Sequence, residues 1–382
     1  MPKDIASIMN IIKVLSEQSR PPGSPGSIKA ITLITQTLND LGFKISKHEG
    51  QITNWHMDGE PSLEILKPMK QSIKALPAIL SPPTPKDGVS GIAEIEDNLN
   101  MLDSFPWERI AVIDNDIPVS YILSSEKDIR VQPIPEDVSK IPHVIIDYQD
   151  FRGILKNLIS GEEVFLKIYN PSVIDGKSTL TNILSVNNNP IDNYILICAH
   201  HDSTFNSNGA LDNASGVAVA LHVAYLAQKF NWPCQFAFFD GEEINKAGSC
   251  NYVNSLSENE LTKIKTVIEI DTVGAGKEIG FLCSKKLYNK FKNANLLEDK
   301  FDKFNINISP QKRISFSDVW PFMQKNVPVI RMLTRSPKGS GQGTDIIHSR
   351  MDTYDKIDPD TIQASCSAVT KLVKHLSEIN FD

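Results

Sequence analysis

From about residue 178 onward, short runs that are apolar throughout alternate with stretches patterned as amphipathic helices. A strand that is apolar on both faces must be covered on both faces, so the pattern predicts an α/β fold, with an open sheet between helix layers. The strand candidates are YILICAH (194–200), QFAFFD (235–240), KTVIEID (265–271), EIGFLC (278–283) and VPVIRML (327–333). Residues 215–229, SGVAVALHVAYLAQK, predict a helix after the first of these, capped by Asn213 or Ser215. A last helix is expected over residues 361–379.

In open α/β sheets the carboxyl ends of the strands are where ligands bind. Here those ends carry chemistry. The first run ends in His200, followed by His201 and Asp202; the second runs into Gly241, Glu242 and Glu243; the third ends in Asp271. Two loops add to them: GALDNASG (209–216) supplies Asp212, and TDIIHSRMDTYD (344–355) sets His348 among Asp345, Asp352 and Asp355. Carboxylates converging on one sheet edge without a cation would repel and raise one another's pKa, so the pattern points to a metal site. Nitrogen and oxygen donors without thiolate suit Zn²⁺, Mn²⁺ or Co²⁺.

With 382 residues there is room for two domains, or for one core with a sizeable insertion. A net charge of -7 leaves no basic footprint, which argues against nucleic acid or an anionic membrane surface as partners and for a peptidic or small substrate. Five scattered cysteines, Cys198, Cys234, Cys250, Cys283 and Cys366, form no Cys-x-x-Cys pair and read as free thiols of a reducing compartment. The first twenty residues pattern as an amphipathic helix, because Asp4, Asn10 and Lys13 interrupt the apolar run that a signal peptide needs. With no run of about 18 uncharged apolar residues in sight, no membrane span is expected and the expected location is cytoplasmic.

Taken together, AHHDS (199–203), GALDNASGVA (209–218), FFDGEE (238–243) with GSCNYV (248–253), EIDTVG (269–274) and HSRMDTYD (348–355) resemble, in order, the co-catalytic di-zinc exopeptidases of the aminopeptidase Y and bacterial leucyl aminopeptidase type. The resemblance covers residues 23–42 and 178–357. It implies the zinc exopeptidase fold: a mixed, mainly parallel central sheet with helices on both faces. It further implies two Zn²⁺, with Mn²⁺ or Co²⁺ as possible substitutes: one on His200, Asp212 and Asp271, the other on Asp212, Glu243 and His348. Asp212 would bridge them. The same resemblance makes Asp202 a partner that orients His200, leaves His201 as a wall residue, and assigns Glu242 as the general base and acid acting on a water between the ions. Relatives often carry Ser-Asp-His near residues 315–322 and a tyrosine just before it. This chain has Ser317 and Asp318 but Val319 and Ile314, which leaves Arg313, Ser315 or Arg331 as candidate oxyanion donors.

Prolines cluster after residue 66, and residues 141–169 resemble the end of a protease-associated domain. The expected division is therefore a catalytic domain of residues 1–65 and 176–382 with a small α+β insertion at 66–175, walling the cleft without doing chemistry. The activity implied is that of an aminopeptidase on peptide substrates. Carboxypeptidase action, glutaminyl cyclisation on one zinc, and a non-catalytic relative are the alternatives, and the complete ligand set weighs against the last two.

Overall fold

The computed structural model describes residues 1–95, 109–125, 128–134, 140–186, 193–292, 304–310, 317–337 and 339–378. Arg313, Ile314 and Ser315 lie outside them. The chain forms two compact units, Met1–Gln51 with Thr179–Asp382, and Ile52–Ser178.

The first unit is built on a mixed sheet whose strands run, edge to edge, Lys44–Met57, Ser172–Val186, Cys234–Phe239, Tyr194–His200, Ile264–Ile270, Val329–Arg335, Glu278–Cys283 and Asn305–Pro310. The Tyr194 strand pairs in parallel with both the Cys234 and Ile264 strands, and the Ile264 strand in parallel with the Val329 strand. All seven residues of the Tyr194 strand are buried. Alternation divides them between two layers. Ile195, Ile197 and Ala199 join the cluster formed with helices Ile5–Leu15, Pro25–Asp40, Gly216–Phe230 and Pro359–Glu378. Tyr194, Leu196 and Cys198 join the opposite cluster, with Val253, Val319 and Phe322 of helices Ala247–Ser255 and Val319–Gln324. In the Cys234 strand, Phe236 and Phe238 fill the first layer and Phe239 the second. Each buried Ile, Leu, Val or Phe side chain among them contributes about 1.5–3 kcal/mol.

The α/β reading from apolar runs holds, one of its two cap candidates is selected, and one helix departs from the expectation of no membrane-length apolar segment. The cap of the Gly216 helix is Asn213, whose Oδ1 accepts from Gly216 N at 2.9 Å, whereas Ser215 turns its hydroxyl back to the Leu211 carbonyl. Ala210–Phe230 also has, by length and composition, what a membrane crossing requires; 83% of its apolar window is buried inside the protein, as for a core helix. All five cysteines are free thiols, and all but Cys250 are buried.

The second unit is a mainly antiparallel sheet in the order Gln71–Ile73, Ser62–Lys67, Phe165–Tyr169, Val89–Ile95, Arg109–Asp114, Ile117–Ser125, His143–Asp147 and Ala75–Pro77. The helix Tyr148–Ile159 is capped by Asp147 and buries Phe151 and Ile154 in a core with Ile110, Val112, Ile122, Val144 and Leu166.

Candidate active site

Strand register begins the site. Cys198 lies beside Glu269, so two residues further on His200 and Asp271 leave the sheet on the same face, while Glu269 in turn lies beside Arg331. On the other side His200 pairs with Phe239, after which Gly241, at φ +71°, turns the chain so that Glu242 and Glu243 follow directly. Asp202 fixes this junction. Its Oδ1 accepts from Glu242 N at 3.2 Å and its Oδ2 from Glu243 N at 3.1 Å, and Oδ1 lies 3.3 Å from His200 Nδ1. One carboxylate thereby sets both an imidazole and the backbone beside it, as the partners of metal ligands do.

Asp212 is delivered by the irregular turn Ala210–Ser215. Asp352 holds that turn from below, accepting from Leu211 N at 2.6 Å and Asp212 N at 3.0 Å. Asn213 ties it to the sheet by donating to the Ile270 carbonyl at 2.9 Å. Gly209, at φ +58°, enters the turn where a Cβ would sit 2.3 Å from the Asp212 carbonyl oxygen, so only glycine fits. Of the acids near His348, Asp345 accepts from Gly341 N and Asp355 accepts from the Thr353 hydroxyl; neither takes part in the cluster.

These elements bring His200, Asp212, Glu243, Asp271 and His348 together. His200 Nε2 lies 3.0 Å from Asp212 Oδ1 and 3.5 Å from Asp271 Oδ1. His348 Nε2 lies 3.2 Å from Asp212 Oδ2 and 3.0 Å from Glu243 Oε2. The side chains thus form two triads, His200 with Asp212 and Asp271, and Asp212 with Glu243 and His348, each with its donor atoms within 4.8 Å of one another. Asp212 belongs to both and offers one oxygen to each. Buried His200 Nε2, Asp271 Oδ1 and Glu243 Oε1 make no hydrogen bond despite these short approaches. Unpaired donors converging on a point are costly unless something satisfies them, and nitrogen and oxygen donors in this number fit a divalent ion in each triad.

The charges agree with that fit. Burial opposes a proton on His200, but the carboxylates of Asp202, Asp212 and Asp271 outweigh it and hold the imidazole well above its usual pKa. His348 is raised in the same way against its burial, by Glu243 and Asp212. Asp212, despite burial, is held well below the carboxylate range by the two imidazoles, whereas burial pushes Glu243 up to about 8. The imidazole protons must leave before either nitrogen binds an ion. Glu242 belongs to neither triad, and burial raises its pKa, with Asp271 and Asp212 adding to the effect. His201 turns away, Nε2 lying 3.1 Å from the Thr181 carbonyl oxygen, and burial lowers it to about 4.

Around the oxyanion candidates, Ser317 donates its hydroxyl to Glu269, and Asp318 N donates to the same carboxylate at 2.8 Å. Burial pushes Glu269 up to about 7, and Asp318 well above the carboxylate range. Val319 is fully buried in the apolar cluster of Phe239, Val253 and Phe322, an environment that favours an aliphatic side chain over an imidazole. Arg331 donates to Asp271 Oδ2.

Reading the sequence missed Arg20, although it opens the turn-rich PPGSPGS segment. Its buried guanidinium donates to four carbonyls, those of Leu15 (2.8 Å), His201 (2.8 Å), Asn208 (2.6 Å) and Gly209 (2.9 Å). Ser203 Oγ accepts from Arg20 N at 3.0 Å. The loop between His200 and Asp212 is thereby tied to the first helix. Arg20→Met leaves those buried acceptors unpaired and is expected to lower stability by about 3–5 kcal/mol, read as a reduced urea midpoint of the metal-free protein.

An α/β sheet covered by helices on both faces, with imidazoles and carboxylates gathered at its carboxyl edge, is the construction of the zinc exopeptidase fold. Among solved structures the fold is shared with a peptidase M28 precursor from Shewanella amazonensis, at a TM-score of 0.78 and 20% identity over 98% of this chain and 93% of that one. It is shared as well with BSAP, a zinc aminopeptidase from Bacillus subtilis, at a TM-score of 0.72 and 18% identity over 99% and 97%. The description of peptidase family M28 matches residues 182–373, and the chain belongs to that family. A probable leucine aminopeptidase 2 from Trichophyton verrucosum is 28% identical over 209 residues, 52% of this chain; the chain spans only 42% of that relative's length.

Proposed function

We propose that the chain is a metal-dependent aminopeptidase that holds two zinc ions and removes N-terminal residues from peptides. The observation that carries this reading is Asp212, whose two carboxylate oxygens each face a different imidazole and a different second carboxylate. His200, Asp212 and Asp271 would hold one ion, and Asp212, Glu243 and His348 the other. When bound, such a pair polarises the scissile carbonyl and acidifies a water. Glu242 takes the proton from the attacking water and returns it to the departing amine; a carboxylate with a raised pKa suits both steps. Asp202 keeps His200 and the Glu242–Glu243 backbone in register for that exchange. The chain's similarity to a probable leucine aminopeptidase and to a zinc aminopeptidase supports the choice of reaction and metal. Mn²⁺ or Co²⁺ suit the same donors. The unit Ile52–Ser178 is read as a protease-associated-like insertion; none of the site residues named here falls in it.

The test uses one leucine-initiated peptide in three forms: free, N-acetylated and C-amidated, offered to metal-analysed protein. Acetylation is expected to abolish cleavage and amidation to leave it unchanged. Loss on amidation instead would make the chain a carboxypeptidase, and ring closure of a glutaminyl peptide with release of ammonia would make it a cyclase.

A further inference from the structure

We infer that Arg331 makes the two halves of the cluster unequal, so that the first divalent ion is taken up at Asp212, Glu243 and His348 and the second, more weakly, at His200, Asp212 and Asp271. The inference deepens the metal-dependent reading and rests on it. The register that sets Glu269 beside Arg331 also brings the guanidinium to Asp271, two residues further along the same face. Arg331 Nη2 donates to Asp271 Oδ2, and Nε lies 3.5 Å from Glu269 Oε2. Asp271 therefore has one oxygen to offer, Oδ1, which is buried without a hydrogen bond, 3.5 Å from His200 Nε2. Glu243 is placed differently. Its Oε1 is buried without a hydrogen bond and its Oε2 faces His348 Nε2 at 3.0 Å, so both oxygens are available to an ion.

Arg331 acts on the His200 triad in two opposing ways. By fixing Asp271 it preorganises a ligand, an effect worth about ten- to a hundredfold in metal affinity. It also sets a full positive charge on the carboxylate that must receive a divalent ion. With an effective dielectric of about 20, a unit charge and a divalent ion separated by one carboxylate repel by the equivalent of well over roughly a hundredfold in affinity, so repulsion wins. Glu269 offsets the guanidinium only partly, because Ser317 and Asp318 N also draw on its carboxylate.

The experiment titrates metal-free, full-length protein with Zn²⁺ in a calorimeter. Two separate binding events are expected for the wild type. His348→Asn should remove the tighter event and His200→Asn the weaker one. Arg331→Met should tighten the weaker event by about tenfold or more, whereas Arg331→Lys, which keeps the charge, should leave it close to wild type. Two equal events in the wild type, loss of the weaker event in His348→Asn, or no tightening in a folded Arg331→Met would overturn the inference. Should Arg331→Met fail to fold, the wild-type titration and the two histidine variants still decide the order of filling. Absence of any Zn²⁺ binding would instead remove the metal-dependent reading itself, a distinct outcome.

Discussion

Glu242→Gln is expected to lower kcat for peptide hydrolysis by about 10²–10⁴-fold while leaving the metal content of the protein unchanged. The separation follows from where Glu242 sits. Its side chain belongs to neither triad, so an isosteric amide removes no ligand atom. Its backbone N–H, which Asp202 accepts, is untouched, and the neighbouring Glu243 stays in place. What is lost is the capacity to hold a proton between attack and departure, since an amide neither accepts one nor gives one back at neutral pH. KM should change little, because binding of the peptide does not depend on that transfer. Kinetics and metal analysis on the same preparation check the prediction. A variant that retains near wild-type kcat would exclude Glu242 as the proton carrier.

Asp212→Asn should have the larger effect on the metals themselves. The carboxylate is shared, so its replacement weakens both triads at once: the amide keeps one oxygen, loses the negative charge, and turns an N–H towards one of the two imidazoles. We expect metal content to fall below one ion per chain and hydrolysis to fall by about 10⁴-fold or more, in line with loss of a metal-derived nucleophile and Lewis acid together. The turn should survive, because Asp352 grips it through the backbone N–H groups of Leu211 and Asp212 and not through the carboxylate. Metal analysis beside a far-ultraviolet circular dichroism spectrum separates the two effects. A folded variant that retains two ions would show that Asp212 is not shared.

The parts of this molecule that sequence made legible are those built from local pattern. The apolar runs became strands because a strand covered on both faces has no polar position to spare, and the residues that follow them, His200, Glu243 and Asp271, stand at one sheet edge for the same reason. Local pattern alone leaves His348 as one of several polar residues in a loop, and it is the resemblance of HSRMDTYD to its family that singles it out. The sorting of Asp352 under the Asp212 turn, and of Asp345 and Asp355 into local hydrogen bonds, depends on how that loop folds over the sheet. The cap of the central helix was narrowed to two residues, and the choice fell to Asn213 because its amide also reaches the Ile270 carbonyl, a contact 57 residues distant in sequence. Arg20 and Glu269 left no trace of their roles. One serves backbone carbonyls, which every residue possesses, and the other acts through Ser317 and Arg331, which meet it only once the strands are in register.

The reach of Arg20 has a consequence for the timing of assembly. Its carbonyl partners at His201 and Gly209 lie 181 and 189 residues further along the chain. At synthesis rates of about 5–20 residues per second, Arg20 waits roughly 10–40 s for the loop it clamps. Throughout that interval the Arg20 guanidinium has, of its four carbonyl partners, only that of Leu15 within reach. The segment that carries Arg20 is thus completed only after residues 201–209 have been made, and the loop that joins His200 to Asp212 is locked only when parts of the chain 181 and 189 residues apart meet.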